Sequence, residues 1–145
     1  MENTHQYEVN LNWNMDRQGT ISSPVLPMQI EVATPPDFPK GIAGIWSPEH
    51  LFVAAVNACL MTTFLAIAEN SKVEFISFEC NAVGKVEQVE GKYSVTEITL
   101  KPKLTVAASY GEERMIRILE KSEKACLISN SINSKVILEP SVILV

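Results

Sequence analysis

Cysteine is scarce in this chain. There are three, Cys59, Cys80 and Cys126, and no Cys-x-x-Cys spacing. So small and odd a number excludes the disulfide framework of a small secreted domain. The two histidines, His5 and His50, lie far apart in sequence, so no structural zinc site is expected. Basic residues are outnumbered, Lys+Arg 12 against Asp+Glu 17, for a net charge of -5. No basic stripe is present, and a nucleic acid partner has no electrostatic support. The first ten residues, MENTHQYEVN, have no positive segment followed by an apolar run. No signal peptide is read there, and a cytoplasmic location is expected. Internal repeats and low-complexity tracts are also missing.

The 145 residues suit a single domain spanning 1–145, long enough to bury a core. An apolar content of 46% is that of a globular chain rather than a disordered one.

One stretch dominates, Ser47 to Asn70, SPEHLFVAAVNACLMTTFLAIAEN. Ser47 is a good N-cap and Pro48 a good first helical residue, and Glu49 suits the positive helix end. Leu51 to Ala68 is uncharged over 18 residues, the lower edge of a membrane span. Asn57, Thr62 and Thr63 interrupt it, and Glu49 and Glu69 bracket it where Lys or Arg would flank a span. The expected reading is a central helix of a soluble domain, apolar all round, with no membrane.

The rest reads as sheet with a second helix. Tyr7, Val9, Leu11 and Trp13 alternate with polar residues, as in a half-buried strand. Val25–Ala33 reads as a second strand, hairpinned to the first through the turn at Arg17. Residues 34–46, TPPDFPKGIAGIW, hold three prolines and two glycines and form a long connector of the functional kind. Ile76 to Val86 and Ile98 to Val106 read as antiparallel strands, with Pro102 predicting an edge or a bulge. Residues 109–128 read as an amphipathic helix carrying Cys126. Ser134–Val145 is a last strand split by Pro140. The order is β-β-α-β-β-α-β, an α+β chain with a mainly antiparallel sheet.

Chemistry centres on thiols. Cys80 lies on the apolar face of a strand and reads as a small buried hydrophobe. Cys59 and Cys126 each read as a packed core thiol when taken singly. Together they admit a redox pair, since a reactive thiol is often placed beside a resolving one. Cys59 needs to be a thiolate to attack, yet it lies three turns into its helix, beyond the N-terminal dipole. A cation must come from elsewhere, with Arg17, Lys40, Arg114 and Arg117 as candidates. Arg17, on a turn, is the freest to be aimed.

The run from Trp46 to Leu60, WSPEHLFVAAVNACL, resembles the signature of the OsmC/Ohr family, the osmotically inducible and organic hydroperoxide resistance proteins. Ala125 to Ser131, ACLISNS, is similar to the family's second cysteine motif, with Leu127 where proline is usual. Asp16 to Gly19, DRQG, is similar to the turn that presents the family's arginine, with Asp16 where glycine is common. The loop at Phe38-Pro39-Lys40-Gly41 departs from the best-known peroxidase subgroups.

The resemblance implies a fold of curved antiparallel sheets packed on two main helices in an intertwined homodimer. It implies a peroxidase reducing organic hydroperoxides to alcohols. Cys59 would be the peroxidatic and Cys126 the resolving cysteine, Arg17 the activating guanidinium, and Glu49 its bidentate holder. Ten residues put Glu49 and Cys59 about 15 Å apart along a helix, so an arginine fork from another element would have to bridge them. No metal, flavin or haem is implied. The electron donor would be a dithiol, a lipoyl-type one among the candidates. Phe52, Leu60 and Phe64, with Phe38, Ile42 and Trp46, would favour organic peroxides. A small-ligand binder of the same fold and a thiol redox sensor are the competing readings.

Overall fold

The computed structural model describes residues 3–145, which fall into two compact units divided between Leu51 and Phe52. In the first unit, β1 (Asn10–Met15), β2 (Gln18–Ser23) and β3 (Leu26–Ala33) form an antiparallel meander in the order β1-β2-β3. The sequence predicts two strands here, and β2 is the addition. Its residues, QGTISS, carry little apolar alternation. It is held by ladder pairing on both edges, from Asn10↔Ser22 on one side to Gln18↔Ala33 on the other.

The apolar side chains expected to be half-buried on β1 and β3 are open in the single chain. Leu11 is 65% exposed, Trp13 76% and Met28 78%.

The connector folds back on the meander. Ala33 N–H donates to the Trp46 carbonyl at 2.8 Å, Thr34 N–H to the Arg17 carbonyl at 3.2 Å, and Ile42 N–H to the Thr34 carbonyl at 2.9 Å. Gly41 is required by this crossing, because a Cβ there would fall 1.9 Å from the Pro35 carbonyl oxygen.

The long helix α1 runs over Pro48–Asn70, as its cap signals predict. The Ser47 hydroxyl, fully buried, accepts from the His50 N–H at 3.1 Å and lies 2.7 Å from His50 Nδ1.

In the second unit, β4 (Phe75–Val89) and β5 (Lys92–Val106) form a long antiparallel hairpin, with α2 (Glu112–Lys124) following. β6 (Lys135–Leu138) and β7 (Ser141–Leu144) then pair with the other edge of β5, both parallel to it. The sheet is therefore not antiparallel throughout. Pro102 sits inside the central strand β5 rather than at an edge. It lies between the residues paired with β6 (Glu97–Leu100) and those paired with β7 (Lys103–Val106). A missing N–H is tolerated at that break, which matches the break at Pro140 between β6 and β7.

The core lies between this sheet and the helices. Val56, Leu60, Phe64 and Ala68 of α1 recur every four residues and are the buried residues of that helix. They pack on the even-numbered face of β5, where Ile98, Leu100, Leu104 and Val106 are fully buried. Phe64 stacks on Phe78 at 4.8 Å between centroids and meets Phe75 edge-on at 5.2 Å. α2 adds Met115, Ile118 and Leu119. The helix α1 is also long and apolar enough to cross a membrane by length and composition, with 22% of its most apolar window buried in the chain.

Candidate functional site

In the second unit α1 and the chain just after α2 bring two thiols together. Cys59 lies on α1 and is half-buried. Cys126 lies one residue past the C-cap of α2, Ala125, and is fully buried. The sequence places Cys126 within the helix, but α2 stops at Lys124. The hydrophobic period runs on through Cys126, whereas the backbone turns into a 3-10 segment at Ser129–Ser131.

That turn satisfies the carbonyls of the helix end. Ala125 N–H donates to the Lys121 carbonyl at 3.1 Å and Cys126 N–H to that of Glu123 at 3.2 Å. Asn130 Nδ2 donates to the Lys124 carbonyl at 3.1 Å. The Cys126 thiol takes the remaining one, donating to the Ser122 carbonyl at 3.1 Å. Leu127 is 69% exposed in this turn.

Both thiols are free, and both belong to one apolar cluster with Val56, Leu60, Ile98 and Leu100. Burial pushes the Cys126 thiol up from 9.0 to about 11. The Thr63 hydroxyl pulls it back by hydrogen bonding, while the neighbouring Cys59 sulfur and the Glu123 carboxylate push it further up. Thr63 stands one turn beyond Cys59 on the same face of α1, its Oγ1 3.9 Å from the Cys59 sulfur. Sequence reasoning missed Thr63, although its spacing four residues after Cys59 is the signal that would have found it.

Cys80, on β4, packs against the same cluster, and burial raises its thiol to about 11. It packs on the apolar cluster as its strand position predicts, but it is half-buried rather than buried. The carbonyl of Cys80 accepts from Asn57 Nδ2 at 3.0 Å, which ties α1 to β4 two residues before Cys59.

The other two predicted site residues belong to the first unit. Arg17 is exposed on the turn between β1 and β2. Asp16 before it has φ 46°, the left-handed conformation that glycine adopts freely and aspartate tolerates. The backbone at Asp16 thus takes a conformation open to glycine. Asp16, Arg17, Lys40 and Ile42 line a cavity of about 490 Å³. Glu49 is half-buried in the first turn of α1. Among the described residues, no ion pair joins Arg17 to Glu49.

Of the remaining candidate cations, Arg114 is held away from any thiol role. Its guanidinium lies 5.9 Å from the centre of the Tyr110 ring and donates to the Ser71 carbonyl at 3.4 Å. Arg117 is exposed on α2.

Two residues expected to face substrate do not. Leu60 and Phe64 are fully buried against the sheet, because they lie on the stripe of α1 that forms the core. Phe52 remains half-buried beside the thiol cluster.

Two helices on a long hairpin sheet, with a half-exposed thiol beside a buried one, define an α+β thiol protein. The chain belongs to the OsmC-like protein family, whose model matches residues 41–141. A Bacillus subtilis protein, the uncharacterized YmaD, is 24% identical over 141 residues, covering 93% of this chain and 91% of that one. An OsmC-like protein of unknown function from Vibrio cholerae has a similar structure, with TM-score 0.85, 23% identity, and coverage of 94% of this chain and 99% of that one. An organic hydroperoxide resistance protein from Elizabethkingia anophelis superposes with TM-score 0.77 at 19% identity over the whole of both chains. At these identities the structural likeness establishes the fold.

Proposed function

We propose that the protein is a thiol-dependent peroxidase that reduces organic hydroperoxides to alcohols and works as a homodimer. The observation that carries this reading is the half-exposed Cys59 held beside the buried, free Cys126. Structural relatives named as organic hydroperoxide resistance proteins, from Elizabethkingia anophelis and, as OhrB, from Bacillus subtilis, support it by analogy of fold.

The Cys59 thiolate attacks the distal oxygen of the hydroperoxide. The O–O bond breaks, the alkoxide takes a proton and leaves as the alcohol, and Cys59 becomes a sulfenic acid. Arg17 stabilises the charge developing on the leaving oxygen, and Glu49 orients the guanidinium. Cys126 then displaces the sulfenic hydroxyl as water and forms a disulfide with Cys59. A dithiol reduces that disulfide by exchange.

The dimer is supported by apolar surface left open in one chain. Leu11, Trp13 and Met28 are exposed on the meander, and Met61 and Leu65 on α1. Exposed apolar side chains of this kind, on the meander and separately on α1, are the sort that association covers.

Purified protein should consume cumene hydroperoxide catalytically with a dithiol such as dihydrolipoamide, and Cys59→Ser should abolish this. Equal rates for the two proteins would refute the enzyme reading. Stoichiometric oxidation without turnover would identify a sensor. Retention of an apolar ligand by the Cys59→Ser protein, without peroxide consumption by the wild type, would identify a binding protein.

A further inference from the structure

We propose that Lys40 anchors a carboxylate carried by the hydroperoxide, in the cavity it shares with Arg17. The inference rests on the peroxidase reading and adds to it a substrate class, alkyl hydroperoxides that bear an acid group.

The cavity lies within the first unit, encloses about 490 Å³ and is lined by Asp16, Arg17, Lys40 and Ile42. Small-molecule sites commonly measure about 300–1,000 Å³. Its walls come from two separate segments, the turn between β1 and β2 and the connector that follows β3. Thr34 ties them together, donating its N–H to the Arg17 carbonyl and accepting from the Ile42 N–H. On the other side of Lys40, Gly41 N–H donates to the Phe38 carbonyl at 3.0 Å and Phe38 N–H to the Pro35 carbonyl at 3.1 Å. Lys40 itself has φ 63°, a left-handed conformation that a lysine seldom takes. Strain of this kind persists where the surroundings hold it, and it clusters at ligand sites.

Charge decides the ligand. Arg17 and Lys40 are cations on one cavity, and among the described residues no ion pair engages either. Asp16 lines the cavity with them without pairing. Two positive charges and one negative leave a single positive charge, which suits a monoanion and disfavours a dianion. Ile42 is the apolar residue of the lining, a surface that an alkyl chain would cover and a small inorganic ion would not. A hydroperoxide group is uncharged when it binds and does not neutralise the cavity. With Arg17 directed to the leaving oxygen, Lys40 is the cation left for a second, anionic group. An alkyl carboxylate meets each of these conditions.

The first arm of the test measures binding alone. Hexanoate, hexanamide and sulfate are titrated into the reduced protein and followed through backbone amide NMR signals. Hexanoate should shift the amides of residues 16–17 and 40–42 and bind more tightly than the other two. Lys40→Gln should weaken hexanoate binding by about fivefold, and Lys40→Arg should restore most of it. A merely structural role for Lys40 would weaken hexanamide as much as hexanoate. Equal affinities for hexanoate and hexanamide, tighter binding of sulfate, or unchanged hexanoate binding in Lys40→Gln would each overturn the proposal.

The second arm compares kcat/KM for an alkyl hydroperoxide with a terminal carboxylate against that for its methyl ester. The ratio should favour the acid in the wild type, fall by about fivefold in Lys40→Gln and recover in Lys40→Arg. Equal values for acid and ester in the wild type, with hexanoate still bound, would assign the cavity to free acids and overturn the substrate class. If the wild type consumes neither peroxide, the peroxidase reading falls and the substrate class with it, while the hexanoate titration separately decides the carboxylate site.

Discussion

Gly84 of β4 lies so close to Val53 of α1 that a Cβ on it would fall 2.4 Å from Val53 Cγ2. The helix carrying Cys59 approaches the sheet at that point without an intervening side chain. Valine is stiff at χ1 in a helix and has little room to turn aside. Gly84→Ala should destabilise the protein by about 1–3 kcal/mol through overpacking. Adding Val53→Ala should recover part of that loss. Urea unfolding of the two single variants and the double variant, read as a cycle, measures the coupling. Additive losses would show that the contact is not the cause.

The helix start offers a second check. Ser47 is buried and caps the His50 N–H. Ser47→Ala should cost about 1–2 kcal/mol, while Ser47→Thr or Ser47→Asp should retain more of the stability. Denaturant midpoints at constant slope give the comparison.

Cys126 makes stability depend on alkaline pH. Its thiol is raised to about 11 in the folded chain from an ordinary 9.0. Below pH 9 the thiol is protonated whether the chain is folded or unfolded, and its contribution is fully present. Between pH 9 and 11 the unfolded chain releases the proton and the folded one keeps it, so stability falls as pH rises. Cys80 adds a loss of the same sign over the same window. Cys126→Ala should therefore lose less stability than the wild type between pH 8.5 and 10.5, by on the order of 1 kcal/mol. The experiment is a urea titration at each pH under reducing conditions. Parallel losses in the two proteins would refute the assignment.

Phe64 carries the aromatic centre of the core, stacked on Phe78 and edge-on to Phe75. Phe64→Ala should cost about 3–5 kcal/mol, and Phe64→Leu distinctly less. A thermal melt that left Phe64→Ala within a degree of the wild type would contradict its placement in the core.

The sequence legibly marks α1, because Ser47, Pro48 and the uncharged run after Glu49 all point to one element. Residues 34–46 are equally plain, since their prolines exclude helix and strand. β2 is hidden because Gln18–Ser23 is held by backbone pairing from both sides and needs little apolar pattern of its own. Pro102 misleads because a proline in a central strand is tolerated where the neighbouring edge changes from β6 to β7, a break set by residues some forty positions away. The pairing of Cys59 with Cys126 is only half legible. Each thiol can be seen on an apolar surface, but their proximity depends on α2 ending early and turning at Asn130. The Leu60 and Phe64 assignments fail for a related reason. On a helix that is apolar all round, composition cannot say which stripe faces the sheet.

The parallel pairing of β6 and β7 to β5 also sets an order of assembly during synthesis. Residues 97–106 leave the ribosome with their second edge unpaired and keep it so until residues 135–144 follow. At roughly 5–20 residues per second, that interval is a few seconds. For that time the nascent chain displays an open strand edge beside its most apolar sheet face. Chaperone capture would have its greatest effect on yield in that interval.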